Sequence, residues 1–333
     1  MKSLRRLATA LLAAATLAFS ASPLSAAPLK IAYSDWPGWV AWEVAIQKGF
    51  LKEAGVDAEF LWFEYGPSME AFTAGQVDAV MVTNGDALVT GATGAKNVII
   101  MLTDYSNGND MIVARPGIKS LKELKGKKIG IEVGFVGHLM LLNALKKAGM
   151  TESDVQIVNT PTNQTPQVLA SGQVDAIAAW QPNSGEALKA VPGSTAIYSS
   201  ADEPGLIYDT IAVSPQSLAQ NRAAWVKLVS VWDKTLAFIQ DPKTKDEALK
   251  IMAARTGSTP AEYAAFIGGT RFLTLAESAK IIADKSDGFK TLTGSSKASD
   301  EFNVANEVYK ESQDISSYID YTVTAEALAL SKK

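Results

Sequence analysis

Carboxylates and flat rings recur in the short connections that follow apolar runs. Asp35, Trp36 and Trp39 come directly after residues 29–33, with Trp42 and Glu43 close behind. Glu64 and Tyr65 follow residues 56–63, Asn84 and Asp86 follow residues 79–82, and Asp104, Asn109 and Asp110 follow residues 97–102. Glu132, Trp180 with Asn183, and Asp209 hold the same kind of position further on. Base is scarce in this stretch, because between Ala27 and Gln220 the only arginine is Arg115. A sulfonate, nitrate or phosphate site usually recruits Arg, whose planar fork matches those oxyanions. Helix N-termini and backbone amides can bind an anion without it. An aromatic face attracts a cation by about 0.5–2 kcal/mol, and a desolvated charge needs a paired partner. These residue types point to a small cationic or polar nitrogenous guest. A guanidinium-type compound fits best, since a planar cation stacks on Trp while donating to carboxylate and amide oxygens.

Each residue also has a plainer reading. Asp86 is placed to cap the helix that follows it. Asp104 and Asp110 lie beside the turn formers Asn107-Gly108-Asn109. Trp36 and Trp39 flank Pro37-Gly38 in a tight loop, so at least one is expected to face the cleft, the alternative for the other being to pack on the lobe. Glu132 also suits a hinge network. Trp225 and Trp232 share one apolar helix face with Leu228, Val229 and Leu236, which makes them core.

Catalytic constellations are missing from the sequence. There is one histidine, His138, near an expected helix start, and cysteine is absent. No GxSxG elbow, HExxH pair or phosphate-binding loop occurs, and Gly134 and Gly137 do not make a dinucleotide motif. The expectation is no catalytic residue, no metal and no cofactor.

The elements that must position these loops alternate short apolar runs with amphipathic stretches. Strands are expected at residues 29–33, 56–63, 79–82 and 97–102, and helices at 42–54, ended by Gly55, and 67–74, ended by Gly75. A second set follows: helix 119–125, strand 128–132, helix 137–148, strand 155–159, a helix near 167–170, strand 176–179 and a returning strand at 208–213. The rest reads as helical, with capping boxes at Thr259/Glu262 and Thr274/Glu277. Strand–helix–strand units imply a mainly parallel sheet covered by helices on both faces. The run Ala74-Gly75-Gln76-Val77-Asp78-Ala79-Val80 recurs as Ser171-Gly172-Gln173-Val174-Asp175-Ala176-Ile177. Lys52-Glu53-Ala54-Gly55-Val56 has a similar partner upstream of the second copy, Lys146-Lys147-Ala148-Gly149-Met150. Two matched anchors in the same order favour two similar α/β lobes over chance reuse of one junction.

The chain has 333 residues, 20% of them charged, and a net charge of −4. That balance gives no electrostatic footprint for nucleic acid. Lys2, Arg5 and Arg6, the apolar run 7–19 and the small residues ending at Ala26-Ala27 form a secretory signal peptide pattern, with cleavage expected after Ala26. That apolar run is too short to span a bilayer, which takes about 20 residues.

Several of these segments together resemble a known family. They are Leu29-Lys30-Ile31-Ala32-Tyr33 with its Trp/Gly loop, the run 45–56, Gly75-Gln76-Val77-Asp78-Ala79, and the run 121–130. They are similar to the ABC-importer solute-binding proteins for sulfonates, taurine, nitrate and thiamine pyrimidine precursors, over roughly residues 29–240. The resemblance implies a two-lobed periplasmic-binding-protein fold, α/β, with two hinge crossings, a cleft and a helical C-terminal extension. The expected division is a signal peptide at 1–26, one lobe from 27–114 and 209–333, and the other from 115–208. It implies a monomer that captures a small molecule in the periplasm for inner-membrane permease and ATPase subunits. Within the family, the 35–39 and 83–86 loops look most like importers associated with urea- or guanidine-degrading systems. The expected ligand-facing set is Asp35, Trp36, Trp39, Glu64, Asn84, Asp86, Asp104, Asn109, Glu132, Trp180 and Asp209, since ligands in open α/β sheets sit beyond the carboxyl ends of strands. Taurine or another aliphatic sulfonate, nitrate, or a thiamine pyrimidine precursor are the alternatives, and a pyrimidine-synthesising enzyme stands further off.

Overall fold

Residues 27–332 are described by a computed structural model. The signal peptide expected at 1–26 lies outside them. Eleven strands form two sheets: β1 (Leu29–Tyr33), β2 (Ala58–Trp62), β3 (Ala79–Thr83), β4 (Val98–Ser106), β5 (Met111–Ala114), β6 (Lys128–Ile131), β7 (Gln156–Asn159), β8 (Ala176–Ala179), β9 (Thr195–Ser199), β10 (Tyr208–Val213) and β11 (Thr270–Phe272). The first sheet has the order β11-β4-β10-β3-β1-β2 and the second β7-β6-β8-β5-β9. Leaving out β11, the orders superpose, with β10 in one playing the part of β5 in the other. Both of these run antiparallel to their neighbours, while β1 with β2 and β3, and β6 with β7 and β8, pair in parallel.

The repeated sequence run explains this likeness physically. Gly75 and Gly172 end their helices at φ 68° and 77°, where a Cβ would be strained. The next acid then clamps a neighbouring strand. Asp78 donates its N–H to the carbonyl of Lys30 and accepts the Lys30 N–H on its side chain, and Asp175 does the same with Lys128. One junction thus starts β3 against β1 and β8 against β6.

Some expected elements shift. The single helix expected over 42–54 is two, Trp42–Gln47 and Phe50–Glu53, because Gly49 turns left-handed at φ 73° between them. Leu121–Leu124 is a 3₁₀ turn. The second sheet begins before Arg115, since Met111–Ala114 already pairs with β8 and β9. The crossing is therefore the 107–110 loop, and the Arg-Pro-Gly turn lies beyond it.

The core is one apolar cluster running through both lobes, with a smaller one on the second sheet around Val113, Leu169 and Ile177. Trp225 and Trp232 are fully buried, and Trp232 stacks on Trp42 at 5.0 Å, so both are core as expected. Both expected capping boxes form. The C-terminal helices pack mostly on the first sheet's lobe. Helix Leu292–Ala305 also reaches the other lobe, where Phe302 meets the edge of His138. No described helix is long and apolar enough to cross a membrane.

Candidate functional site

The loops after the strands converge between the lobes, as the parallel topology requires. Asp35, after β1, is one point of contact between the lobes. It accepts hydrogen bonds from Trp180 Nε1 at 3.1 Å and Asn183 Nδ2 at 2.9 Å, both from the opposite lobe. Burial outweighs those donors and pushes its carboxyl up to about 6. Around it lies an outer cavity with about 640 Å³ of free space, its open mouth included, lined by Asp35, Glu64, Tyr65, Glu132, Thr162 and Trp180 among others. Glu64 is exposed there. Glu132 is half-buried and accepts from the Thr162 hydroxyl at 2.9 Å, and burial raises its carboxyl.

Behind the outer cavity is a narrower chamber with about 210 Å³ of free space, its open side included. Its walls are Trp36, Trp39, Tyr65, Trp180, Thr83, Val136, Ile207, Asp110 and Asp209. Tyr65 and Trp180 line both spaces, edge to face at 5.1 Å, and form the partition. Trp39 stacks on Tyr65 at 5.6 Å. The Tyr65 hydroxyl donates to Asp86 at 2.6 Å, and Val136 N–H of the other lobe reaches the same oxygen at 3.3 Å. Trp36 Nε1 donates to Asp104 at 2.9 Å, and the Thr103 hydroxyl to its other oxygen at 2.7 Å. Gly38 is required there, because a Cβ would run into the Asp104 carboxylate. Burial raises Asp86 to about 7, Asp104 and Asp110 to about 6, and Asp209 well above the carboxylate range, with Asp104 and Asp110 adding to the last. Neither space has Lys, Arg or His among its lining residues.

The expected set therefore divides. Asp35, Glu64, Glu132 and Trp180 meet at the outer cavity, and Trp36, Trp39 and Asp209 at the inner chamber. Both loop tryptophans line the chamber, where at least one was expected to face the cleft. Asp86 and Asp104 stand behind the chamber wall as partners of Tyr65 and Trp36. The capping expected of Asp86 falls instead to Thr83, whose hydroxyl accepts the Asp86 N–H. Asn84 and Asn109 are correctly placed in the chain but committed elsewhere. Asn84 donates to Ser295 and Ser296 and accepts from Tyr208 N–H, tying its helix to Leu292–Ala305. Asn109 donates to the Phe266 carbonyl and Thr270 hydroxyl. Asn84 is satisfied on both sides by protein, and both donors of Asn109 are taken, which leaves each little to offer a guest.

Sequence reasoning left Tyr65, Asp110 and Asn183 out of the site although they sit in the same loops. Their signal was position alone. It also stopped its count of base at residue 220. Arg255, from helix Lys245–Thr256, reaches the outer flank beside Asp35 and Glu64. Its charge is engaged, 3.2 Å from Glu43 and over the Trp62 ring at 4.6 Å. His138 is buried against Phe302, with Nδ1 accepting from Gly134 N–H, and takes no part in either space. Among the described residues no cluster of metal-ligating side chains occurs.

Comparison with known proteins bears on the same geometry. Residues 37–245 match the family model described as NMT1/THI5 like. A protein of Brucella abortus described as a binding protein is 30% identical over 238 residues, covering 70% of this chain and 74% of the relative. Among solved structures, the alkanesulfonate-binding protein SsuA from Xanthomonas axonopodis pv. citri, bound to MOPS, superposes with a TM-score of 0.74 at 18% identity. The match covers 88% of this chain and 98% of that one. The desulfurization enzyme DSZB superposes with a TM-score of 0.64 at 16% identity, over 91% and 99%. At such identities the structural likeness establishes the shared two-lobed fold, which serves a binding protein in one case and an enzyme in the other.

Proposed function

From the premise that this chain belongs to the NMT1/THI5-like family, we propose that it is the periplasmic solute-capturing component of an ABC importer, and that its solute is a small nitrogenous cation of the guanidinium type. The observation that carries the ligand class is the lining of the two connected spaces. Flat rings and carboxylates meet there without a Lys, Arg or His. A planar cation between Trp and Tyr faces gains π-attraction and finds acceptors in the plane. An oxyanion in the same place would face Asp35, Glu64 and Glu132, and the nearby Arg255 charge is already engaged by Glu43.

Capture proceeds by hinge closure. The solute settles on the lobe carrying Trp36, Trp39 and Asp209, and the lobe carrying Trp180 and Val136 swings over it. The solute biases this equilibrium only by as much as it binds the closed form better. The closed surface is what the permease recognises, and ATP is hydrolysed in another chain.

The described names of its relatives favour a second reading, an aliphatic sulfonate such as taurine, or nitrate, held by backbone amides. Isothermal titration of guanidinium against taurine separates the two. Guanidinium binding with no taurine response is expected, and taurine binding with no guanidinium response would overturn the ligand class while leaving the capture role. An enzymatic role on this fold needs a reactive group at the cleft, and the lone histidine is buried elsewhere. Full recovery of unaltered solute after prolonged incubation is the expected check.

A further inference from the structure

Behind the Tyr65–Trp180 partition the chain concentrates acid that its own donors do not satisfy. Asp110 and Asp209 are 3% and 2% exposed, and in each the Oδ2 atom receives no hydrogen bond. Trp39, 2% exposed, leaves its Nε1 unpartnered in the same chamber. A buried, unpaired carboxylate oxygen is costly, and natural folds keep one where a guest will meet it. Asp209 on β10 stands opposite Asp104 on β4. Directly paired residues of an antiparallel ladder point to the same face, so these two buried carboxyls stand side by side, where ionising both would place two like charges in contact.

We propose that the inner chamber is a cation-for-proton exchange site, in which one compact planar cation enters as the carboxyl proton of Asp209 leaves. This rests on the cationic reading of the cleft given above. In the solute-free form Asp209 keeps its proton beside the Asp104 carboxylate. When the cation arrives, the Asp209 O–H bond breaks and its proton passes to solvent water. The carboxylate left behind accepts an N–H of the guest, and Asp110 Oδ2 accepts another. One positive charge enters and one leaves, so the chamber's net charge is unchanged. This avoids gathering a second uncompensated anion at a dry site.

The groups that face Asp209 agree with this. Asp104 faces it from β4, Asp110 from the crossing loop, and Asp86 from helix Asn84–Ala92. Tyr263, from helix Pro260–Gly268, is buried beside Asp104. The opposite lobe presents only Val136 and Trp180 to the chamber. No base offsets these acids along the chamber wall, and burial holds Asp209 well above the carboxylate range.

The test is calorimetric titration of the purified full chain with guanidinium chloride at micromolar to low millimolar levels, far below denaturing ones. Titrations from pH 5.5 to 8.5 in phosphate and in Tris count protons through the buffers' different ionisation heats. About one proton released per cation is expected, with affinity rising about tenfold per pH unit while Asp209 is protonated in the free form. Binding that is flat with pH and releases no proton overturns the exchange but leaves the cationic cleft standing. Failure of guanidinium to bind at any pH overturns both. Asp209→Asn keeps the shape of the side chain beside Asp104 and removes the exchangeable proton. It is expected to melt no lower than the parent at pH 8, to release no proton and to bind about 100-fold more weakly. Unchanged affinity in that variant would also overturn the proposal.

Discussion

At the scale of single residues, the site is a set of rings held in place by acids that are themselves out of reach. Trp36 is fixed by Asp104, and Tyr65 by Asp86. Trp36→Phe keeps the ring and removes the Nε1 donor. It is expected to destabilise the protein by about 1–3 kcal/mol at pH 8, because the buried Asp104 carboxylate loses a donor. At pH 5, below the value of about 6 to which burial raises Asp104, the carboxyl is neutral and the loss is smaller. Urea unfolding at both pH values checks the difference. The sequence made the acids and rings legible because each follows an apolar run at the point where a parallel strand must end. It could not tell ligand-facing from committed side chains. Asn84 and Asn109 have the same local look as Asp209, and what sets them apart is contact with Ser295 and Phe266, more than 150 positions away.

Among the elements, the repeated junction gives the sharpest expectation. Gly75 and Gly172 have similar left-handed φ values, and a Cβ at Gly75 would have nothing within 4 Å. The cost of Gly75→Ala is therefore backbone strain alone, about 1–2 kcal/mol. Gly172→Ala should cost a similar amount plus whatever the nearby Arg115 guanidinium adds at 3.6 Å. Chemical denaturation of both variants tests whether the two lobes share one junction energetically as well as geometrically. A value near zero at Gly75 would contradict it. Periodicity found most strands and both capping boxes, whose signals are local. It missed Thr195–Ser199, where the alternation is weak and the strand is half exposed. It also put the crossing late, since Met111–Ala114 is too short and too uniformly apolar to show which sheet it joins.

For the whole molecule, the buried acids link protonation to shape. Asp35, Asp104 and Asp110 are raised to about 6 and Asp86 to about 7, from an ordinary value of 3.8. Between about pH 4 and pH 7 the closed, folded chain thus binds more protons than the unfolded one, and its stability falls as pH rises. The solute-free protein is expected to melt higher at pH 5 than at pH 8, by an amount worth about 2 kcal/mol or more. The same acids oppose closure. All four chamber aspartates lie on one lobe or its crossing, and closing brings Val136 and Trp180 over them and removes water. At pH 8 and without solute, the lobes are expected to relieve that burial by separating. At pH 5.5 the acids are largely protonated and closure costs less. Small-angle scattering of the solute-free protein should therefore give a larger radius of gyration at pH 8 than at pH 5.5. Added guanidinium should return the pH 8 value to the compact one, because the cation supplies the charge that the protons supplied. Asp35→Ala removes the acceptor for Trp180 and Asn183 and should leave the protein extended at both pH values. A radius that is the same at both pH values with and without guanidinium would separate charge from closure and refute this coupling.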